Sequence, residues 1–147
     1  VQVFLVHHAD AVGPEIDPQR PLSPGGRAHA ERLAADAAAR GLEPQIIWHS
    51  GKLRARQTAE AFWRRLNPLA AFAAQRGLQP TDPPQTIRDL LAAEDGDVLL
   101  VGHFPSLPRV LALLTRNTED AAVSFPQHGL IALERSGNTW KEILRFE

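Results

Sequence analysis

Two stretches of this sequence, VQVFLV at 1–6 and DVLLVGH at 97–103, are almost unbroken runs of β-branched and aliphatic residues. A strand with one wet face would alternate apolar and polar residues, so both runs are expected to be buried on two faces, as in a parallel sheet covered by helices. QIIWH at 45–49 is a shorter run of the same kind. Parallel neighbours need long crossovers, and the intervening segments supply helical ones.

In RPLSPGGRAHAERLAADAAARG, Ser23 is placed to cap a helix, Pro24 fits its first position and Gly41 can end it, which predicts a helix over about 24–40. Ser50 offers a cap for a second helix carrying Ala55, Ala59, Phe62 and Leu66, which must stop near Asn67-Pro68. Residues 68–80 carry no clear period; Asp82-Pro83 then reads as the cap and first turn of a helix burying Ile87, Leu90 and Leu91. A further helix is expected from near Pro105, with Leu107, Val110, Leu111 and Leu114 on one face. The end of the chain alternates on both sides of Ser136-Gly137-Asn138 and reads as an antiparallel hairpin. The expected fold class is a three-layer α/β/α sandwich with a largely parallel sheet and a C-terminal antiparallel hairpin, in a single domain over 1–147.

A net charge of −1, with 22% charged and 44% hydrophobic residues, gives no sign of disorder, a nucleic-acid surface or a polybasic membrane patch. With no cysteine, disulfides, thiolate nucleophiles and thiolate metal sites are excluded. No run reaches the ~18 apolar residues of a membrane span, and the start lacks the pattern of a signal peptide. The expectation is a cytoplasmic protein whose partner is small or only locally charged.

Ligands of open α/β sheets bind beyond the carboxyl ends of the parallel strands. Here those ends read His7-His8, His49-Ser50 with Arg54 a turn into the next helix, and Gly102-His103. Helix N-termini follow two of them and favour an anion, and Arg54 adds a planar charged fork, so a phosphoryl group is the inferred ligand. One imidazole beside such a pocket can act as nucleophile and another can stabilise the transferring group, with no metal or cofactor required. A transition metal on His7, His8, His49 and His103 is the competing reading, opposed by the cation of Arg54.

Four blocks resemble the histidine phosphatase superfamily: His7-His8-Ala9 at its Arg-His-Gly/Ala signature, RPLSPGG at 20–26, SGKLRARQTAEAF at 50–62 and VLLVGHFPSL at 98–107. Length and the RPLS segment are similar to the short bacterial phosphohistidine phosphatases of the SixA type. The resemblance implies His8 as nucleophile, Arg54 and His103 on the phosphoryl group, and Arg20 lining the pocket. It implies a phosphatase acting on a phosphorylated protein or small phosphate ester, the alternative being a phosphate-binding module of the same fold. His7 departs from the pattern, standing where the family has arginine, and His49 precedes Ser50 where the family has a small or hydroxyl residue. A retuned pocket in which His7 and His49 act together is expected, with Asp10 or a cationic His7 or His49 as proton donor. His29 is expected on the solvated face of the first helix and His128 in a surface turn, while Trp48, Trp63 and Trp140 are packing residues.

Overall fold

The computed structural model describes residues 1–147. Strands β1 (Gln2–His7), β2 (Ile46–His49), β3 (Ala71–Ala74), β4 (Val98–Gly102), β5 (Leu130–Ser136) and β6 (Thr139–Phe146) form one sheet in the order β3-β2-β4-β1-β5-β6. The first four in that order are parallel, while β5 runs antiparallel to β1 and β6 antiparallel to β5. Helices α1 (Pro24–Ala39), α2 (Leu53–Leu66), α3 (Pro84–Ala92) and α4 (Ser106–Arg116) supply the crossovers.

Side-chain alternation sorts the core into two layers. Val3, Leu5, Val98 and Leu100 pack with α3, α4 and Trp140, while Phe4, Val6, Leu99 and Val101 pack with α1 and α2. Burial of both faces explains why β1 and β4 are apolar throughout.

Ser23 caps α1 by accepting from Gly26 N at 2.9 Å, Pro24 follows at the first turn, and Gly41 lies beyond the end with φ +80°. Ser50 does not cap α2. Its hydroxyl is held by His103, at 2.7 Å from the ring Nε2, and the helix starts at Leu53 after Lys52, which makes no side-chain cap bond. The expected cap of α3 also moves by one residue, to Pro83, because Asp82 accepts from Gln79 N at 2.9 Å.

Strand β3 lies inside the stretch that showed no period. Alanine favours helix, and Ala71, Ala73 and Ala74 are exposed, so neither propensity nor alternation marks it. Tertiary contacts impose the strand: Trp63 Nε1 donates to Ala70 O at 3.0 Å, and Phe72 stacks on Trp63 with ring centres 4.5 Å apart.

The first turn of α1 presses on the loop after β1, where a Cβ on Gly26 would collide with the Asp10 carbonyl, while Gly25 faces open space. Gly26→Ala is expected to cost about 1–3 kcal/mol in urea unfolding through overpacking. Gly25→Ala should be neutral or stabilise by up to about 1 kcal/mol, since alanine is the better helix residue.

Candidate active site

Parallel register brings the site together. His7 pairs with Gly102 across β1 and β4, and His8 N donates to Gly102 O at 3.2 Å, so His8 and His103 leave the sheet side by side with ring centres 4.9 Å apart. From the other side β5 pairs with β1, His7 N donates to Gly129 O at 3.0 Å, and His128 joins the group.

His7 is buried and sandwiched, with Phe104 stacked at 4.0 Å and 7° on one face and His128 at 4.9 Å and 4° on the other. The backbone N–H of His128 donates to His7 Nδ1 at 2.8 Å. An accepting Nδ1 carries no proton, so His7 is neutral with its single proton on Nε2. Burial, reinforced by His8, His128, His103 and Arg54, pushes its pKa from 6.5 down to about 3. The cationic His7 expected as proton donor is therefore not formed near neutrality, and with Nε2 protonated the ring has no lone pair to give a metal ion.

His8 has the opposite tautomer. Its Nδ1–H donates to Ala9 O at 2.7 Å, which leaves the lone pair on Nε2. Burial lowers its pKa to about 4 despite that bond, with Arg54, His128 and Arg20 contributing. At neutral pH His8 is an unprotonated imidazole with a free nucleophilic nitrogen.

Ser50 Oγ accepts from Lys52 N at 3.3 Å and its own proton is free to go to His103 Nε2 at 2.7 Å. His103 Nδ1 is buried without a partner. Burial, with His8 and Arg54 next, pushes His103 to about 3. Arg54 Nε is the other buried side-chain nitrogen without a partner. Burial and the nearby Arg20 hold the Arg54 guanidinium below its ordinary pKa. Arg20, at φ 51°, is fixed by Nε donating to Val12 O at 3.0 Å.

Helix α2 organises these parts through three residues at helical spacing. Arg54 belongs to the site, Gln57 accepts from Leu22 N at 2.8 Å, and Thr58 accepts from Ala9 N at 3.0 Å while donating to Arg54 O at 2.8 Å. Gln57 thus holds the Arg20-Pro21-Leu22 segment, and Thr58 the backbone just after His8.

His49 does not join the group. As a strand residue it shares the face of Ile47, towards α2; its Nδ1 accepts from Gly51 N at 3.0 Å and its ring lies 5.1 Å from Phe72. The expected pairing of His7 with His49 is corrected to His7 with His128. His128 sits in a turn, as expected, but is half-buried and borders the pocket, its Nδ1–H donating to His8 O at 2.7 Å. His29 is not simply solvated: its Nε2–H donates to His128 O at 3.0 Å. Asp10 is exposed and accepts from the Ser23 hydroxyl at 2.8 Å, which ties the loop to α1.

Residues 7–79 match the family described as histidine phosphatase superfamily (branch 1). The crystal structure of a SixA protein from Agrobacterium tumefaciens is 30% identical and superposes with a TM-score of 0.81, covering 99% of this chain and 97% of the other. The chain belongs to the histidine phosphatase superfamily. The fold is shared with a protein histidine phosphatase SixA solved with tungstate, at TM-score 0.87 and 22% identity, covering 99% of this chain and 96% of that one. It is shared also with a SixA structure from Nakamurella multipartitia, at TM-score 0.78 and 22% identity, covering 99% and 95%. No curated protein matches the chain in sequence.

Neutral burial of His7, His8 and His103 makes stability depend on acid. Each folded-state pKa lies below the unfolded 6.5, so below that pH only the unfolded chain takes up these protons, and stability is lost as pH falls from 6.5 towards about 3 to 4. Calorimetry should show Tm dropping steadily over that window. His7→Phe should flatten the slope while lowering Tm at pH 7, because the His128 N–H loses its acceptor at a cost of about 1–3 kcal/mol. An unchanged slope would contradict the assignment.

Proposed function

We propose that this chain is a metal-independent phosphatase that works through a phosphohistidine intermediate on His8, acting on a phosphohistidine protein or a small phosphomonoester. The observation that carries the reading is the conjunction of a free His8 Nε2 with two buried nitrogens lacking partners, Arg54 Nε and His103 Nδ1, the latter a donor when Ser50 donates to Nε2. Unpartnered buried donors are costly, and an oxyanion would satisfy both. Membership of the superfamily supports the reading, as does the tungstate, a tetrahedral oxyanion, in the related SixA structure.

In this mechanism Arg54 and Arg20 supply the positive charge, while His103 Nδ1–H and His7 Nε2–H donate to phosphoryl oxygens. His8 Nε2 attacks phosphorus in line with the leaving group, and water then hydrolyses the P–N bond. Ser50 acts through His103 by fixing its tautomer. The neutrality of His7 favours a second reading, since a site with one cation fewer than the family pattern binds phosphate less strongly and could serve as a phosphoprotein-binding module.

Native protein is expected to hydrolyse an aryl phosphate in the presence of EDTA, and His8→Ala to fall to background. Arg54→Lys should lose about 10²–10³-fold in kcat, as for removal of one donor to a developing charge. The His8 imidazole must be unprotonated, so on the acid side activity should fall as pH drops towards about 4. Tungstate binding without any hydrolysis would favour the binding module, and loss of turnover in EDTA would contradict the metal-independent mechanism.

A further inference from the structure

We propose that His128 is the proton-transfer residue of this site, protonating the leaving group and then accepting the proton of the attacking water. The inference rests on the phosphatase reading and assigns the step that the pocket's other groups cannot perform. His7 cannot become cationic without breaking the bond from His128 N to its Nδ1. His8 is the nucleophile, His103 Nε2 faces Ser50 Oγ, and the Asp10 carboxylate is exposed and bonded to Ser23.

His128 differs from all of these in how its ring is held. Its Nδ1–H donates to the His8 carbonyl at 2.7 Å, a bond that the ring makes equally as imidazole and as imidazolium. A proton can therefore come and go at Nε2 without disturbing the anchor. One ring nitrogen from each of His7, His8 and His128 lies within 4.8 Å of the others, and the His8 and His128 ring centres are 6.1 Å apart, which places the His128 ring beside the nucleophile. The groups that touch it are His7 at the end of β1, His8 just after it and His29 on α1, and no carboxylate bonds to it.

The backbone is committed to the same end. His128 has φ 55°, a left-handed conformation uncommon outside glycine, although asparagine, aspartate and histidine enter it more readily than other residues. It is over-determined there by His7 Nδ1 on its N–H, His29 Nε2 on its carbonyl and the parallel stack on His7. Strain of this kind gathers at functional sites.

In the first step His8 Nε2 bonds to phosphorus as the bond to the leaving oxygen or nitrogen breaks. The leaving atom keeps the electron pair and takes the Nε2 proton of cationic His128. In the second step water oxygen bonds to phosphorus, the P–N bond returns its pair to His8, and the proton of water goes to His128. The cycle closes without another reactant.

The test compares bursts of product release from phenyl phosphate, whose leaving group needs a proton, and 2,4-dinitrophenyl phosphate, whose leaving group does not. Two variants preserve the backbone: His128→Asn tolerates the left-handed turn and can still donate to His8 O, and His128→Gly fits without a side chain. Both should lose about 10²–10⁴-fold on phenyl phosphate and change by about threefold or less in the dinitrophenol burst. Free imidazole should restore phenyl phosphate turnover to His128→Gly. Equal losses on both esters, or no loss on either, would overturn the assignment. A native protein that releases neither product, or a His8→Ala variant as active as native, would refute the phosphatase reading before His128 is altered.

Discussion

Everything at this site depends on the parallel register of β1, β4 and β2. With His7 opposite Gly102 and His49 opposite Val101, the strands end along one line, and the residues that follow them meet at a single sheet edge. A slip of one residue would turn His7 towards α1 and α2 and bring Phe4 and Val6 to the other layer. The buried runs of β1 and β4 therefore do more than fill the core, since their packing fixes which histidine faces which helix.

Within that frame, backbone hydrogen bonds assign each imidazole its proton. His7 accepts at Nδ1 and can offer only an N–H at Nε2; His8 donates at Nδ1 and offers only a lone pair at Nε2. Two adjacent residues of one type thus present an N–H and a lone pair. The charge in the pocket then comes from Arg54 and Arg20, and burial keeps His7, His8 and His103 neutral. Where the superfamily pattern has a permanent cation, this chain has a neutral donor whose orientation is set by a segment more than a hundred residues away.

The features legible in the sequence were those with local causes. Two-sided burial marked β1 and β4, cap chemistry marked α1, and alternation marked the hairpin of β5 and β6. His8 and His103, whose rings lie 4.9 Å apart, could be placed at one sheet edge because each follows a readable strand. What escaped was set by tertiary contact. β3 is an exposed alanine strand held by pairing with β2 and by Trp63. His49 looked like its counterparts at the other strand ends, yet it is still within the strand, its Nδ1 held by Gly51 N and its ring beside Phe72. His128 reaches the pocket only because β5 lies antiparallel on β1, a pairing with no local signal in SFPQHG. Gln57 and Thr58 were visible as part of a motif, but their partners, Leu22 N and Ala9 N, became apparent only in three dimensions.

The central claim is that His8 carries the phosphoryl group on its one uncommitted nitrogen. Acid-labile, alkali-stable phosphate trapped during turnover, and located by phosphorus–nitrogen coupling in NMR, tests it most directly. The account predicts a phosphoramidate on His8 Nε2. A bond through Nδ1, phosphate on another residue, or turnover with no phosphoenzyme would contradict it.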